Sequence, residues 1–326
     1  MISQRIGITA GLFGVALACI GAQTAWAYPD RPVRIIVPYA PGGGNDTLAR
    51  LLGRKLEAQW RQPVIIENKA GGNTIIATES VSRLEPDGYT ILMVTTIFSV
   101  NPSLVSKLPY DTVADFTPVV VAGMAPSVLV VRPTLPVNSV QELLAYGRAN
   151  PGKLTYGTPE TGTAPSLAAE LLKIDGHFDA VGVSYRGTQQ QLLALLSGDI
   201  DYAFDVVSSL EYVKVGKLKA LAVTISKRLD NFPDVPTMIE SGLPGYEAAT
   251  WYGFVVRAGT PPAIVNQINH AFNQVIEDPA VRDRMDTLGI KLLGGTPEEF
   301  AARIRTDMDK WSGVLRRAGI KTDARR

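Results

Sequence analysis

Apolar positions along the chain fall into short blocks that alternate between strand and helix character. The segment Val33 to Tyr39 is apolar except at Arg34 and reads as a buried strand. Directly after it, Leu48, Leu51, Leu52 and Leu56 form one stripe at helical spacing. A second short strand is predicted over 63–67, a Gly-Gly turn at 71 and 72, and a helix from Ile75 to Leu84. "PDGYTILMV" then supplies a turn and a third strand. This βαβαβ order predicts a mostly parallel sheet flanked by helices.

Two apolar stretches, 118–122 and 127–131, lead into a second series. Ser139, with Glu142 three residues on, predicts a capping box at the start of "VQELLAYGRANP". Strand "KLTYGT", helix "SLAAELLKI", strand "AVGVSY", helix "TQQQLLALLSG", strand "DYAFDV" and a strand over 218–225 follow in turn. A Pro-rich stretch from Phe232 to Pro244 precedes "WYGFVVRAGTPP", and the chain is then helical to its end. A second capping box is predicted from Thr296 and Glu299, with Pro297 at the first helical position. The last strand and helices need a sheet to lie on, which the first unit provides. The expected division is 28–128 plus 227–326 as one domain and 129–226 as a second, inserted domain. Ligand sites in open α/β sheets lie beyond the carboxyl ends of the strands, so the site is expected in the cleft between the units.

The first 27 of the 326 residues stand apart. Arg5, an apolar run from Ile6 to Ile20 and Ala25-Trp26-Ala27 match a secretory signal peptide cleaved after Ala27. The run is shorter than the roughly 20 apolar residues of a spanning helix. Cys19, the only cysteine, lies inside it; Leu17 is two places before it rather than the three of a lipid-attachment box. The mature chain is then cysteine-free, which suits a bacterial periplasm. Without Arg5, the 32 basic residues become 31 and balance the 31 acidic ones, which disfavours a nucleic-acid partner.

Gly42-Gly43-Gly44 sits between a strand end and a helix start. Glycine permits close backbone approach, and the free N–H groups and dipole of a helix N-terminus favour an anion. No Gly-Lys-Ser/Thr follows, and the sixth position is Thr47 from Gly42 or Leu48 from Gly43. A nucleotide is therefore disfavoured and a small carboxylate fits, the alternative being a turn that needs glycine for sterics alone. Asp46 reads as an organiser of this loop. The second unit repeats the device with Thr161, Gly162, Thr163 and Ala164. At another strand end, Asp205 precedes Ser208 and Ser209 and either takes a ligand hydroxyl or amine or caps the next helix. Only His177 and His270 are available for acid–base chemistry, and neither lies in a metal-ligand pattern; no G-x-S-x-G elbow is present. Neither an enzyme nor a cofactor is expected.

The segments "YPDRPVRIIVPYAPGGGNDTLARLL", "QPVIIENKAGG", "PDGYTILM", "NPSL", "LPYD", "DFTPVV", "NPGKLTYGT", "LKALAVT", "DVPTMIESGLPGYEA" and "GTPEEFAARI" occur in an order that resembles the Bug family, the substrate-binding proteins of tripartite tricarboxylate transporters. The resemblance covers essentially all of the mature chain. It implies a type II periplasmic binding-protein fold: two α/β domains, two crossover strands and a hinged cleft. It also implies a monomer that carries a small carboxylate (dicarboxylate, tricarboxylate, acidic amino acid or aromatic acid) to membrane permease subunits, or else feeds a membrane sensor kinase. The loops that hold ligand in the family match 41–46 and 159–164 here. Together with the strand ends, the candidate ligand-binding set is Tyr39, Ala40, Gly42, Gly43, Asp46, Thr95, Thr161, Gly162, Thr163, Ala164 and Asp205. The chain departs from the family pattern at Pro165-Ser166-Leu167, where histidine often precedes the leucine, and at Phe98-Ser99-Val100-Asn101, where a histidine is common. Arg186 stands where the family has lysine, placed either to meet a second carboxylate or to be solvated.

Overall fold

The computed structural model describes residues 28–205, 209–230 and 232–320. The expected signal peptide, with Arg5, Cys19 and Ala27, lies outside the described residues, as does Ser208.

The first sheet starts with β1 (Val33–Val37), which ends where Pro38 removes a backbone donor. Helix α1 (Gly44–Trp60), β2 (Val64–Asn68), α2 (Ile75–Ser82) and β3 (Thr90–Thr95) follow. β1 pairs in parallel with both β2 and β3, as the alternating pattern predicts. β4 (Phe116–Pro126) does not join β3 directly. β10 (Ala249–Arg257) lies between them, antiparallel to both, and β11 (Lys291–Leu292) closes the far edge. One face of this sheet buries Ile35, Met93 and Phe254 under α1 and α8 (Pro262–Ile276); the other buries Leu92, Val94 and Trp251 with Phe300.

The second sheet has the order β7-β6-β8-β5-β9, from β5 (Val128–Val131), β6 (Leu154–Thr158), β7 (Ala180–Ser184), β8 (Tyr202–Asp205) and β9 (Lys219–Val223). Helices α4 (Val140–Ala149), α5 (Ala164–Gly176) and α6 (Thr188–Ser197) link its strands.

The chain passes between the sheets at two places that are bonded to each other. Only Ser127 separates β4 from β5, and its N–H donates to the Thr224 hydroxyl (3.0 Å). Thr224 N–H returns a bond to the Ser127 carbonyl (3.0 Å), and Ala248 N–H donates to the Thr224 carbonyl (2.9 Å). The return to the first sheet comes at Ala249 rather than at 227. Before it, Met238, Leu243, Tyr246 and Ala248 pack in the core of the second sheet, and Met238 N–H bonds the Val223 carbonyl. The last helix, α10 (Pro297–Ala318), belongs to both lobes: Phe300 and Ile304 pack on the first sheet, and Trp311, Val314 and Leu315 enter the core of the second.

The Thr296–Glu299 capping box is complete, with both reciprocal bonds present (3.2 and 2.8 Å). At α4 only half of the expected box forms: Ser139 accepts from Glu142 N–H, but the Glu142 carboxylate takes the N–H of Asn138 instead (2.7 Å). A helix absent from the expected pattern, α3 (Thr96–Leu104), follows β3 without a break and contains Pro102.

Candidate functional site

Between the two sheets lies a cavity of about 420 Å³. Strand ends and helix starts from both lobes form its walls. The first lobe contributes Pro38 to Ala40 after β1, Asn45 in the first turn of α1, residues 70–74 before α2, Thr95 to Ile97 at the start of α3, and Thr250 and Tyr252 on β10. The second contributes Pro159 and Glu160, Thr163 to Pro165 at the start of α5, and Gly187 and Thr188 at the start of α6. Four helices thus place first-turn residues at one space, and a fifth, α2, its N-cap Thr74. Among the described residues no lysine, arginine or histidine lines it, and Glu160 is its one carboxylate. Attraction for an anion there has backbone N–H groups and helix dipoles as its source rather than side-chain cations.

The two loops anticipated from sequence share one geometry. Gly42 has φ +89° and Gly162 φ +86°, a region that favours glycine. Each is followed by an extended N-cap residue, Gly43 (φ −78°, ψ 174°) or Thr163 (φ −72°, ψ 155°). In each, the glycine N–H is taken by the side chain four residues on: Gly42 by Asp46 Oδ2 (2.9 Å) and Gly162 by Ser166 Oγ (3.0 Å). Those two N–H groups are therefore already used within the protein.

Asp46 is buried and organises the first loop. It accepts from Arg50 Nε (2.9 Å), Gly42 N–H and Asn68 Nδ2 (2.9 Å). The Arg50 bond, with those of Gly42 and Asn68, outweighs the effect of burial and holds the carboxyl at about 2.

Of the candidate residues, Tyr39, Ala40, Thr95, Thr163 and Ala164 line the cavity. The Tyr39 hydroxyl and Thr95 Oγ1 are hydrogen-bonded at 2.6 Å, and burial pushes the phenol up. Gly42, Gly43 and Asp46 are not among the lining residues. Gly43 has a φ open to any residue and no atom within 4 Å of where a Cβ would sit, so neither backbone nor space demands glycine there. Thr161 and Gly162 instead face a smaller cavity of about 180 Å³ behind the loop, shared with Tyr156, Glu170 and Leu315. Asp205 is buried at the end of β8 and does not line the main cavity. Nor does Arg186, whose backbone N–H donates to Gln190 Oε1 (3.2 Å).

The main element that sequence reasoning missed is the loop before α2. Gly71, Gly72, Asn73 and Thr74 have successive φ values of +132°, +56°, +54° and +71°. Buried Asn101, on α3, holds this left-handed run: its Nδ2 donates to the Asn73 carbonyl (3.0 Å), and Asn73 Nδ2 donates to its Oδ1 (3.1 Å). The Gly-Gly-Asn sequence was the available signal. Thr96 ties the start of α3 to the central strand by accepting from Trp251 N–H (3.1 Å).

Two α/β lobes, two crossing segments and a cleft walled by helix N-termini define a solute-binding receptor of the periplasmic binding-protein fold. The chain belongs to the tripartite tricarboxylate transporter family receptors (TctC), whose family model matches residues 48–320. It is 33% identical over 319 residues to Protein BugT of Bordetella pertussis, with 97% of each chain covered. Among solved structures it is similar to R. palustris Rpa4515 with adipate (32% identity, TM-score 0.79, 90% of this chain and 99% of that one). It is also similar to the periplasmic binding protein BugD (32%, TM-score 0.77, 91% and 100%). MatC from Rhodopseudomonas palustris with bound malate matches at 31% and TM-score 0.76, over 88% and 100%. The protein is a periplasmic solute-binding receptor of the TctC/Bug type. No helix among the described residues is long and apolar enough to cross a membrane.

Proposed function

We propose that this protein captures a small carboxylated solute in the interlobe cavity by hinge closure and delivers it to the membrane subunits of a tripartite tricarboxylate-type transporter. The observation that carries this reading is the convergence of five helix N-termini on a cavity whose lining, among the described residues, holds no cationic side chain. A helix N-terminus favours an anion by about 0.3–1 kcal/mol, more where water is partly excluded. Hydrogen bonds to a charged acceptor add about 1.5–3 kcal/mol each. A few such bonds reach the roughly 8 kcal/mol of micromolar affinity.

The adipate and malate held by two structural neighbours agree in chemical class. Closure pivots on the bonded crossings at Ser127 and Thr224–Ala248, which divide the lobes. Ligand shifts the equilibrium because only the closed state offers contacts from both lobes. His177 caps the end of α5 and His270 is exposed on α8, so neither histidine lines the cavity.

The test is a thermal-shift panel on residues 28–326, stripped of ligand by unfolding and refolding, in which each carboxylic acid is paired with its amide. An acid at about a hundred times its dissociation constant stabilises by about 2.7 kcal/mol. A shift with an acid and none with its amide is expected; no shift with any acid would overturn the proposal.

A further inference from the structure

We infer that Glu160 selects a solute bearing a cationic nitrogen as well as a carboxylate, so that this receptor favours amino acids over the plain acids of the same skeleton. The inference rests on the carboxylate-binding reading above. Glu160 is the one ionisable residue other than tyrosine in the cavity wall. It sits four residues before the start of α5. There its backbone carbonyl accepts from Thr163 Oγ1 (2.7 Å) and from Thr163 N–H.

The carboxylate is not used in that way. Among the described residues it makes no hydrogen bond to the first turn of α5 and no ion pair, so it is not a cap. It faces the cleft: the Tyr39 phenol of the opposite lobe is pushed up mainly by its own burial and in smaller part by the Glu160 charge, and partial burial pushes up the carboxyl of Glu160, a residue still exposed to water in this structure. Arg186 is outside the cavity lining and forms no ion pair with it.

In the open cleft water solvates this charge. Closure removes the water, and an unpaired carboxylate in a shielded cleft is strongly unfavourable. Among the described residues no cation lines the cavity to offset it, so the compensating charge arrives with the solute. A plain dicarboxylate brings the wrong sign to that end of the cavity. An ammonium group beside or beyond the ligand carboxylate brings the right one, while the carboxylate itself takes the helix first turns. Recognition is then divided by chemistry: the anion is held by backbone, the cation by one side chain.

The experiment is calorimetric titration of the ligand-free protein with matched pairs: glutarate and L-glutamate, succinate and L-aspartate, adipate and 2-aminoadipate. At least one amino acid is expected to bind roughly ten- to a hundred-fold tighter than its partner, the range of a hydrogen bond to a charged group. Glu160→Gln keeps the side chain's shape and is expected to erase that preference while leaving the plain acid bound as tightly or more so. The inference is overturned if the plain acids bind equally or better in the wild type, or if the preference survives Glu160→Gln. It is likewise overturned if tight binding of a plain acid takes up a proton that Glu160→Gln abolishes, since a proton would then supply the missing charge. Failure of both series to bind the wild type would bring down the carboxylate reading as well.

Discussion

Replacing Gly162 and Gly43 by alanine separates two roles for glycine that look alike in sequence. A Cβ on Gly162 would sit 2.4 Å from Leu104 Cδ1 and 3.5 Å from Val100 Cγ1, both on α3. Leu104 is only 2% exposed and is packed in the core of the second lobe, so it cannot turn aside into water. Forcing an extra methyl into such a contact costs about 1–3 kcal/mol. Holding alanine at a left-handed φ adds about 1–2 kcal/mol. The sum, about 2–5 kcal/mol, corresponds to a fall of roughly 3–8 °C in the unfolding midpoint for a chain of this size, taking about 2.1 cal/mol/K per residue. Gly43 meets neither condition, and Gly43→Ala is expected to be neutral or stabilising by up to about 1 kcal/mol through the unfolded chain. Denaturant unfolding of both variants, with m-values compared, reads the difference directly. Equal destabilisation by the two substitutions, or a silent Gly162→Ala, would refute the assignment of steric necessity to the second loop alone.

Two further outcomes follow from the loop chemistry. Asp46 is depressed from 3.8 to about 2, so its stabilisation is present above the unfolded value and is lost as pH falls through the folded one. With Arg50 partly in water, its contribution is about 1–2 kcal/mol. Asp46→Asn should therefore lower stability near pH 6 and flatten its decline between about pH 4 and 2; an unchanged decline would place the acid sensitivity elsewhere. Asn101→Ala strands the left-handed run at 71–74 and should cost about 1–3 kcal/mol, with faster amide exchange at residues 71–75. Unaltered exchange there would mean that the glycines alone hold the loop.

The strand–loop–helix units at 33–60 and 154–176 were legible because apolar periodicity and small residues at the turns are local signals. What those signals could not show was where each N–H goes. Gly42 and Gly162 are spent on Asp46 and Ser166, bonds that depend on a shared turn geometry rather than on residue type. α3 escaped notice because Thr96 to Leu104 continues the apolar run of β3 and contains a proline, which argues against a helix. Thr250 and Tyr252 reach the cavity only because β10 lies between β3 and β4, a pairing across more than a hundred residues. Nothing in the sequence singled out Glu160, whose isolation from any counter-charge among the described residues is a property of the assembled cleft.

The central position of β10 also sets an order of events in time. All five strands of the second sheet lie between Val128 and Val223, so they can pair as soon as this stretch exists. The first sheet cannot. Until Ala249–Arg257 has been made, β3 has one free edge, six buried positions long, and β4 has no neighbour among the strands already present. An apolar strand edge left open for that interval is the kind of surface on which chains pair with one another. The strand that joins the two halves of the first lobe is therefore also the one that first covers these edges, and the earlier-made half of that lobe must wait for the later one.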